Sequence, residues 1–196
     1  MISTFTVLFD ANVLFGIRTS LLMELSMSGL FRARWSEDIH REWMTEVSDA
    51  HGISPEVLEK RRLYMDEAVP DSCVTGYEDL IPALVLPDPN DRHVLAAAIR
   101  CHADVIVTFN KDDFPEAVLT PYGIHTQHPD LFIQNVDELS PGTLLEAARQ
   151  DLAHYIAPPL SVDQYAAGLQ AAGVPRTAAF LRAAFKDVAA TRARAD

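Results

Sequence analysis

Cysteine is scarce in this 196-residue chain. Cys73 and Cys101 are its only two, and neither belongs to a Cys-x-x-Cys or Cys/His ligand pattern, which argues against a disulfide framework or a structural zinc. Positive charge is also in deficit. With 16 Lys and Arg against 28 Asp and Glu the net charge is −12, the reverse of a protein that coats nucleic acid through a basic face. The deficit is uneven, with 21 acidic and 10 basic residues through position 130 but 7 and 6 beyond it. An acidic N-terminal part of this kind does not exclude nucleic acid as a substrate, but such a substrate must be gripped by local cations such as Arg18, Arg32, Arg34, Lys60, Arg61, Arg62, Arg92 and Lys111. Long apolar runs are missing too. The stretch from Phe5 to Phe9 is cut by Asp10 and is not preceded by a basic segment, so neither a signal peptide nor a membrane span is expected, and a cytoplasmic protein without a membrane partner is. No internal repeat or low-complexity tract is evident.

What remains is an ordinary globular composition, 48% hydrophobic, at a length that suits one domain with an appendage. Strand-like Thr6 to Phe9 leads through Asp10 and Asn12 into a helix near Ser20 to Ser28, closed by Gly29. Phe31 to Trp35 follows, then Ser36 as an N-cap with Glu37 and Asp38 in the first turn of a helix. Ser54 and Pro55 open another. Ala83 to Leu86 reads as a further strand, stopped by Pro87. Asp88 and Pro89 read as N-cap and first residue of a helix reaching Cys101. Val105 to Phe109 is the clearest buried strand, and Gly123 to Thr126 forms a last one. Alternation at this spacing predicts a mainly parallel sheet with helices on both faces. From Pro129 onward the pattern is helical, punctuated at Ser140-Pro141, Pro158-Pro159 and Gly173-Val174-Pro175. The division expected is 1–129 for the α/β domain and 130–196 for a helical C-terminal extension. Its last two helices are read as an amphipathic hairpin, with Tyr165 and Leu169 on one and Phe180, Leu181 and Phe185 on the other.

Four segments carry a carboxylate at a structural boundary: TVLFDANVLF with Asp10, SEDIHREWMTEV with Glu42, PDPNDRHVLAAAI with Asp91, and VIVTFNKDDF with Asn110 and Asp113. Ligands in open α/β sheets bind beyond the carboxyl ends of the strands, where TVLFD and VIVTFN deliver their polar residues. Each residue alone has a plainer role. Asp10 suits an Asx turn, Glu42 a solvated helix face, and Asp91 a cap at the start of its helix. If the four converge, their charge is costly without a cation, and an oxygen-only set favours Mg²⁺ or Mn²⁺ over zinc. Asn12, Thr108, Asn110 and Lys111 flank the same strand ends and are candidates for orienting water, ligands or a phosphate. The seven histidines form no HExxH or paired pattern and are read as structural or surface residues.

The motifs FDANVLF, Ser36 to Val47 with its glutamate, PDPNDRHVLAAAI and VTFNKDDF, in this order over residues 5–128, resemble the PIN-domain ribonucleases, in particular the VapC toxins of toxin–antitoxin pairs. The resemblance implies a three-layer α/β/α PIN-like fold and Mg²⁺- or Mn²⁺-dependent cleavage of RNA. It assigns the acidic metal-binding and catalytic set to Asp10, Glu42, Asp91 and Asp113. Many relatives carry aspartate where this chain has Asn110, so the fourth carboxylate is placed at Asp113. The helical tail resembles an extension found on a subset of VapC-like proteins. A cognate antitoxin and a homodimer are the partners implied. Two rivals are a non-catalytic PIN-like scaffold that binds RNA or protein, and a haloacid-dehalogenase-type phosphatase, whose nucleophile motif Asp10-Ala11-Asn12-Val13 resembles except that Asn12 replaces its second aspartate.

Overall fold

The structure is a computed structural model and describes residues 5–192. In chain order its elements are β1 (Phe5–Phe9), α1 (Ile17–Met27), β2 (Phe31–Ser36), α2 (Glu37–His51), α3 (Pro55–Ala68), β3 (Cys73–Val74), α4 (Arg92–Arg100), β4 (Val105–Val107), α5 (Glu116–Leu119), β5 (His125–Gln127), α6 (Pro129–Leu139), α7 (Thr143–His154), α8 (Val162–Ala171) and α9 (Pro175–Arg192). They form two compact units. One holds the five strands with α2 to α5, and the other holds α1 and the helices from Asp130 onward.

In the first unit the strands form one sheet in the order β3-β2-β1-β4-β5, and every pairing is parallel. Right-handed crossovers therefore place α2 and α3 on one face and α4 and α5 on the other, giving three α/β/α layers. β1 is central, and Val7, Leu8 and Phe9 are fully buried, as expected for a strand covered on both sides. The chain leaves β1 for β2 on one side and later returns to β4 on the other. The carboxyl ends of β1 and β4 are thus the point where strand order reverses, the usual place for a ligand crevice in such sheets. The register pairs Phe9 with Val107, so the next residues, Asp10 and Thr108, emerge side by side.

Helix α2 is built as its sequence indicates. The Ser36 hydroxyl accepts from the Ile39 amide at 3.3 Å, Glu37 and Asp38 fill the first turn, and Gly52 ends the helix in the left-handed conformation with φ 63°. Its buried face carries Ile39, His40, Trp43 and Val47. That face is pinned by a polar network. The Trp43 indole N–H donates to His40 Nδ1 at 2.9 Å, which leaves the other ring nitrogen, Nε2, to donate to Asp66 Oδ1 at 3.1 Å. Asp66, on α3, also accepts from the Trp35 indole at 2.8 Å and from Arg62 at 3.0 Å. One carboxylate thereby ties β2, α2 and α3 together, and it holds α2 at His40, two residues ahead of Glu42.

Two expectations are corrected here. Ala83 to Leu86 is not a strand, although Leu84 and Leu86 are buried and Val85 is 73% exposed. Ala83 ends a 3₁₀ turn over Glu78–Ala83, the rest runs into Pro87, and among the described residues no strand pairs with it. The short edge strand is β3 instead. Likewise the helix expected from Pro89 begins as a 3₁₀ turn, Pro89–Asp91, capped by Asp88, whose side chain accepts from the Asn90 amide at 2.8 Å. The α-helix proper starts at Arg92.

In the second unit α1 packs against α7 and α8, and α9 packs against α7 and α8. This differs from a division at 129 alone, since α1 joins the C-terminal helices. Asp130 accepts from the Arg176 and Thr177 amides at 2.9 and 2.8 Å and from the Thr177 hydroxyl at 2.8 Å, capping α9. Ser161 and Gln164 form a reciprocal capping box at the start of α8. The α8/α9 hairpin buries Tyr165, Leu169, Ala178 and Leu181, whereas Phe180 is 42% exposed. The buried positions of α9 are thus Ala178 and Leu181, not Phe180. Among the described residues no helix is long and apolar enough to cross a membrane.

Burial holds the His40 pKa below its usual 6.5 despite the upward pull of Asp66. The unfolded chain therefore takes up a proton below about pH 6.5 that the folded ring resists. The resulting stability is complete above that pH and is lost as pH falls through it, with a slope of at most about 1.4 kcal/mol per pH unit. Urea midpoints between pH 7.5 and 5 are expected to fall less steeply for His40→Gln than for the unaltered protein.

Candidate functional site

Asp10 is the best-anchored carboxylate at the switch point and is only 4% exposed. Its backbone N–H continues the sheet by donating to the Val107 carbonyl at 3.1 Å. Oδ1 accepts from the Ala11 amide at 2.7 Å, which makes Asp10 the cap of a 3₁₀ turn over Ala11–Val13. Oδ2 accepts from the Asn12 side chain at 2.6 Å and from the Thr108 hydroxyl at 2.7 Å. Asn12 Nδ2 also reaches Thr108 Oγ1 at 3.0 Å, and Asn12 Oδ1 accepts from the Phe109 amide at 3.1 Å. The Asn110 amide donates to the same threonine oxygen at 2.9 Å. Asn12 and Thr108 thus lace the ends of β1 and β4 together around one carboxylate.

Three further acids face this point. Burial, followed by the charges of Asp10, Asp113, Asp88 and Glu42, pushes the Asp91 carboxyl up from 3.8 to about 7. Asp10 rises to about 6, mainly through burial and against the pull of its hydrogen bonds from Thr108 and Ala11, with the charge of Glu42 adding to the rise. Asp10, Glu42 and Asp113, predicted from separate segments, therefore lie within electrostatic reach of Asp91, and Glu42 lies within reach of Asp10. Asp91 stands at the N-cap of α4 but makes no capping hydrogen bond through its side chain. Asp88 does the local capping, which leaves Asp91 free to face the other acids. Asp113 ends a 3₁₀ turn, Lys111–Asp113, directly after β4.

Glu42 is held from α4. Its Oε1 lies 2.8 Å from His93 Nε2, with the glutamate side chain 39% and the histidine side chain 12% exposed. Burial alone lowers the His93 pKa, but the hydrogen bond and the charges of Glu42, Asp38 and Asp10 outweigh it, and the net direction is upward. His93 was absent from the residues singled out in the sequence. Its only signal there was its place two positions after Asp91, and nothing in the chain's periodicity pairs α4 with Glu42 on α2.

The residues expected to touch a substrate divide. Asn110 and Lys111 are exposed beyond β4. Thr108 is fully buried, and its oxygen is committed to Asp10, Asn12 and the Asn110 amide, which leaves it placed to orient the Asp10 carboxylate. Asn12 is half-buried and its amide is likewise spent on Asp10, Thr108 and Phe109.

The donor set is all oxygen, the chemistry of a hard divalent cation. Among the described residues no three metal-ligating side chains are gathered closely enough to hold an ion. Asp10 is fixed by its three donors, so closure around a cation rests on movement of Glu42, Asp91 or Asp113. The uncompensated charge has a price in stability. Because the folded pKa of Asp91 lies above its ordinary value, the folded state loses stability as pH rises from about 4 to about 7. In EDTA at pH 8, Asp91→Asn is expected to stabilise the protein by about 1–2 kcal/mol, a value discounted for partial exposure. The gain should vanish near pH 4; urea unfolding at the two pH values measures it.

Comparison with known proteins agrees with this architecture. Residues 129–183 match the model of the VapC50 C-terminal domain. A 58-residue stretch is 53% identical to a protein of Mycobacterium tuberculosis named "Putative ribonuclease VapC50", covering 30% of this chain and 34% of that relative. The match thus spans about a third of the relative's length. No solved structure matches the chain. Residues 6–112, more than half of the chain and all of the segments that bring Asp10, Glu42 and Asp91 together, match the model of the PIN domain: the chain belongs to the PIN-domain family.

Proposed function

We propose that this protein is a divalent-metal-dependent endoribonuclease of the VapC toxin type, acting on RNA phosphodiester bonds in the cytoplasm and held in check by a cognate antitoxin. The observation that carries the reading is the position of Asp91, which burial and then the nearby charges of Asp10, Asp113, Asp88 and Glu42 push up to about 7. Carboxylates seldom gather unpaired. A set that destabilises the fold without a cation is accounted for by binding one. The VapC50 matches support the toxin branch of the family.

Bound Mg²⁺ or Mn²⁺ would supply positive charge that acidifies water and offsets charge developing on the phosphate oxygens. Asp10 is the fixed ligand of the set, pre-oriented by Thr108, Asn12 and the Ala11 amide. Glu42, Asp91 and Asp113 complete it from α2, α4 and the turn after β4. Lys111 and Asn110, exposed at the rim, are suited to a phosphate and to a base or sugar edge, which offers an acidic protein a local grip on an anionic chain. An antitoxin fits the same logic by bringing an arginine guanidinium to the carboxylates in place of the ion. The homodimer implied by the VapC resemblance belongs to this reading as well.

A phosphatase using Asp10 as a covalent nucleophile is less well served. Both oxygens of Asp10 accept protein hydrogen bonds, and the second acid that such chemistry needs is Asn12, whose amide is occupied. Purified protein with Mg²⁺ is expected to cut single-stranded RNA internally and to stop in EDTA. Asp10→Asn and Asp91→Asn should each reduce cleavage at least about 100-fold with unchanged circular dichroism. Calorimetric Mn²⁺ binding should disappear in Asp10→Asn. Cleavage at the original rate by the folded double variant would sink the mechanism, and a protein that binds RNA without metal or cleavage would mark a scaffold.

A further inference from the structure

We propose that His93 is a positioning residue for metal binding, keeping the Glu42 carboxylate turned toward the start of α4, where Asp91 stands. The inference rests on the nuclease reading above and adds to it a residue outside the acidic set.

Glu42 is the acid with the least support from its own element. It sits on the half-exposed margin of α2 between buried Trp43 and exposed Arg41, on a long side chain free to turn to solvent. One protein contact opposes that freedom, the 2.8 Å hydrogen bond from His93. An ionised carboxylate only accepts, so Nε2 carries the proton in this pair. The opposite ring nitrogen is telling. His93 Nδ1 is buried and has no hydrogen-bond partner, which is a poor arrangement for a residue kept only to pack. An aliphatic side chain in the first turn of α4 would fill the space without a stranded nitrogen. Local rules broken without structural return mark functional positions.

The location agrees. His93 follows Asp91 by two residues, so the first turn of α4 supplies both a carboxylate to the cluster and the hydrogen bond that steadies a second carboxylate from α2. Helix α4 therefore couples two acids that the sequence separates by 49 positions. Hydrogen-bond partners of ligating carboxylates orient them, and their loss weakens metal binding by about 10–100-fold.

The test is Mn²⁺ titration by calorimetry of the full-length protein, with thermal unfolding in EDTA as a control for folding. His93→Ala is expected to weaken Mn²⁺ affinity by about 10–100-fold. His93→Gln, whose amide nitrogen can reach the place of Nε2, should stay within about threefold of the original. In a Glu42→Gln background the His93→Ala change should have little further effect, because its effect passes through Glu42. Rescue by glutamine and this non-additivity distinguish positioning from a general loss of packing. An unchanged Mn²⁺ affinity in folded His93→Ala, or an undiminished loss in the Glu42→Gln background, overturns the inference while leaving the nuclease reading intact. Absence of Mn²⁺ binding by the unaltered protein overturns both.

Discussion

Everything at the candidate site depends on keeping one ionisable carboxylate almost wholly buried at the end of the central strand. Asp10 is 4% exposed, and burial alone disfavours its charge. Three donors make the position tenable: the Ala11 amide, Asn12 and Thr108. Each comes from the geometry of the switch point. The Ala11 amide is free because the chain turns there into a 3₁₀ helix. Asn12 follows on that turn. Thr108 arrives because β4 runs beside β1 in parallel register. The same lacing that holds Asp10 also closes the two strand ends, so the stability of the sheet and the orientation of the carboxylate are one arrangement.

The remaining acids are brought to that fixed point by elements whose own stability comes from elsewhere. Helix α2 is set by Trp35, His40, Trp43 and Asp66, a network that buries two indoles and a histidine with their ring nitrogens paired. Helix α4 is set by its buried Val94, Leu95, Ala96, Ala97 and Ala98 and by Asp88, which relieves Asp91 of capping. The ring nitrogens of the α2 network are thus satisfied, while Arg92 Nε and His93 Nδ1 at the start of α4 are buried without a hydrogen-bond partner.

Much of this was legible in the chain. β1 and β4 announce themselves because strands buried on both faces are uninterrupted and apolar, and the polar residues that end them, Asp10 and Thr108, meet in a 2.7 Å hydrogen bond. Ser36 with Glu37 and Asp38 is a local helix start, and local signals survive folding. Errors arose where identity of the neighbour decided the outcome. Ala83 to Leu86 alternates like a strand but pairs with none among the described residues, whereas Cys73–Val74 is too short to show a period and is a strand only because β2 lies beside it. Phe180 looked like a core residue, yet Ala178 and Leu181 are the buried positions. Thr108 looked like a substrate contact until its hydroxyl was found enclosed.

The chain by itself determined most of the element types and the carboxylates that end them, because these rest on short-range periodicity, capping and the composition of single segments, and its four motifs carried the resemblance to the PIN-domain family. Only the tertiary structure decided that the Asp91 side chain takes no part in capping, that the Thr108 hydroxyl is spent on Asp10, that α1 belongs with the C-terminal helices, and that His93 reaches Glu42. The His93–Glu42 and Thr108–Asp10 contacts join side chains 51 and 98 residues apart in sequence. Distances of that kind are fixed by packing in three dimensions, and no local pattern in the chain encodes them.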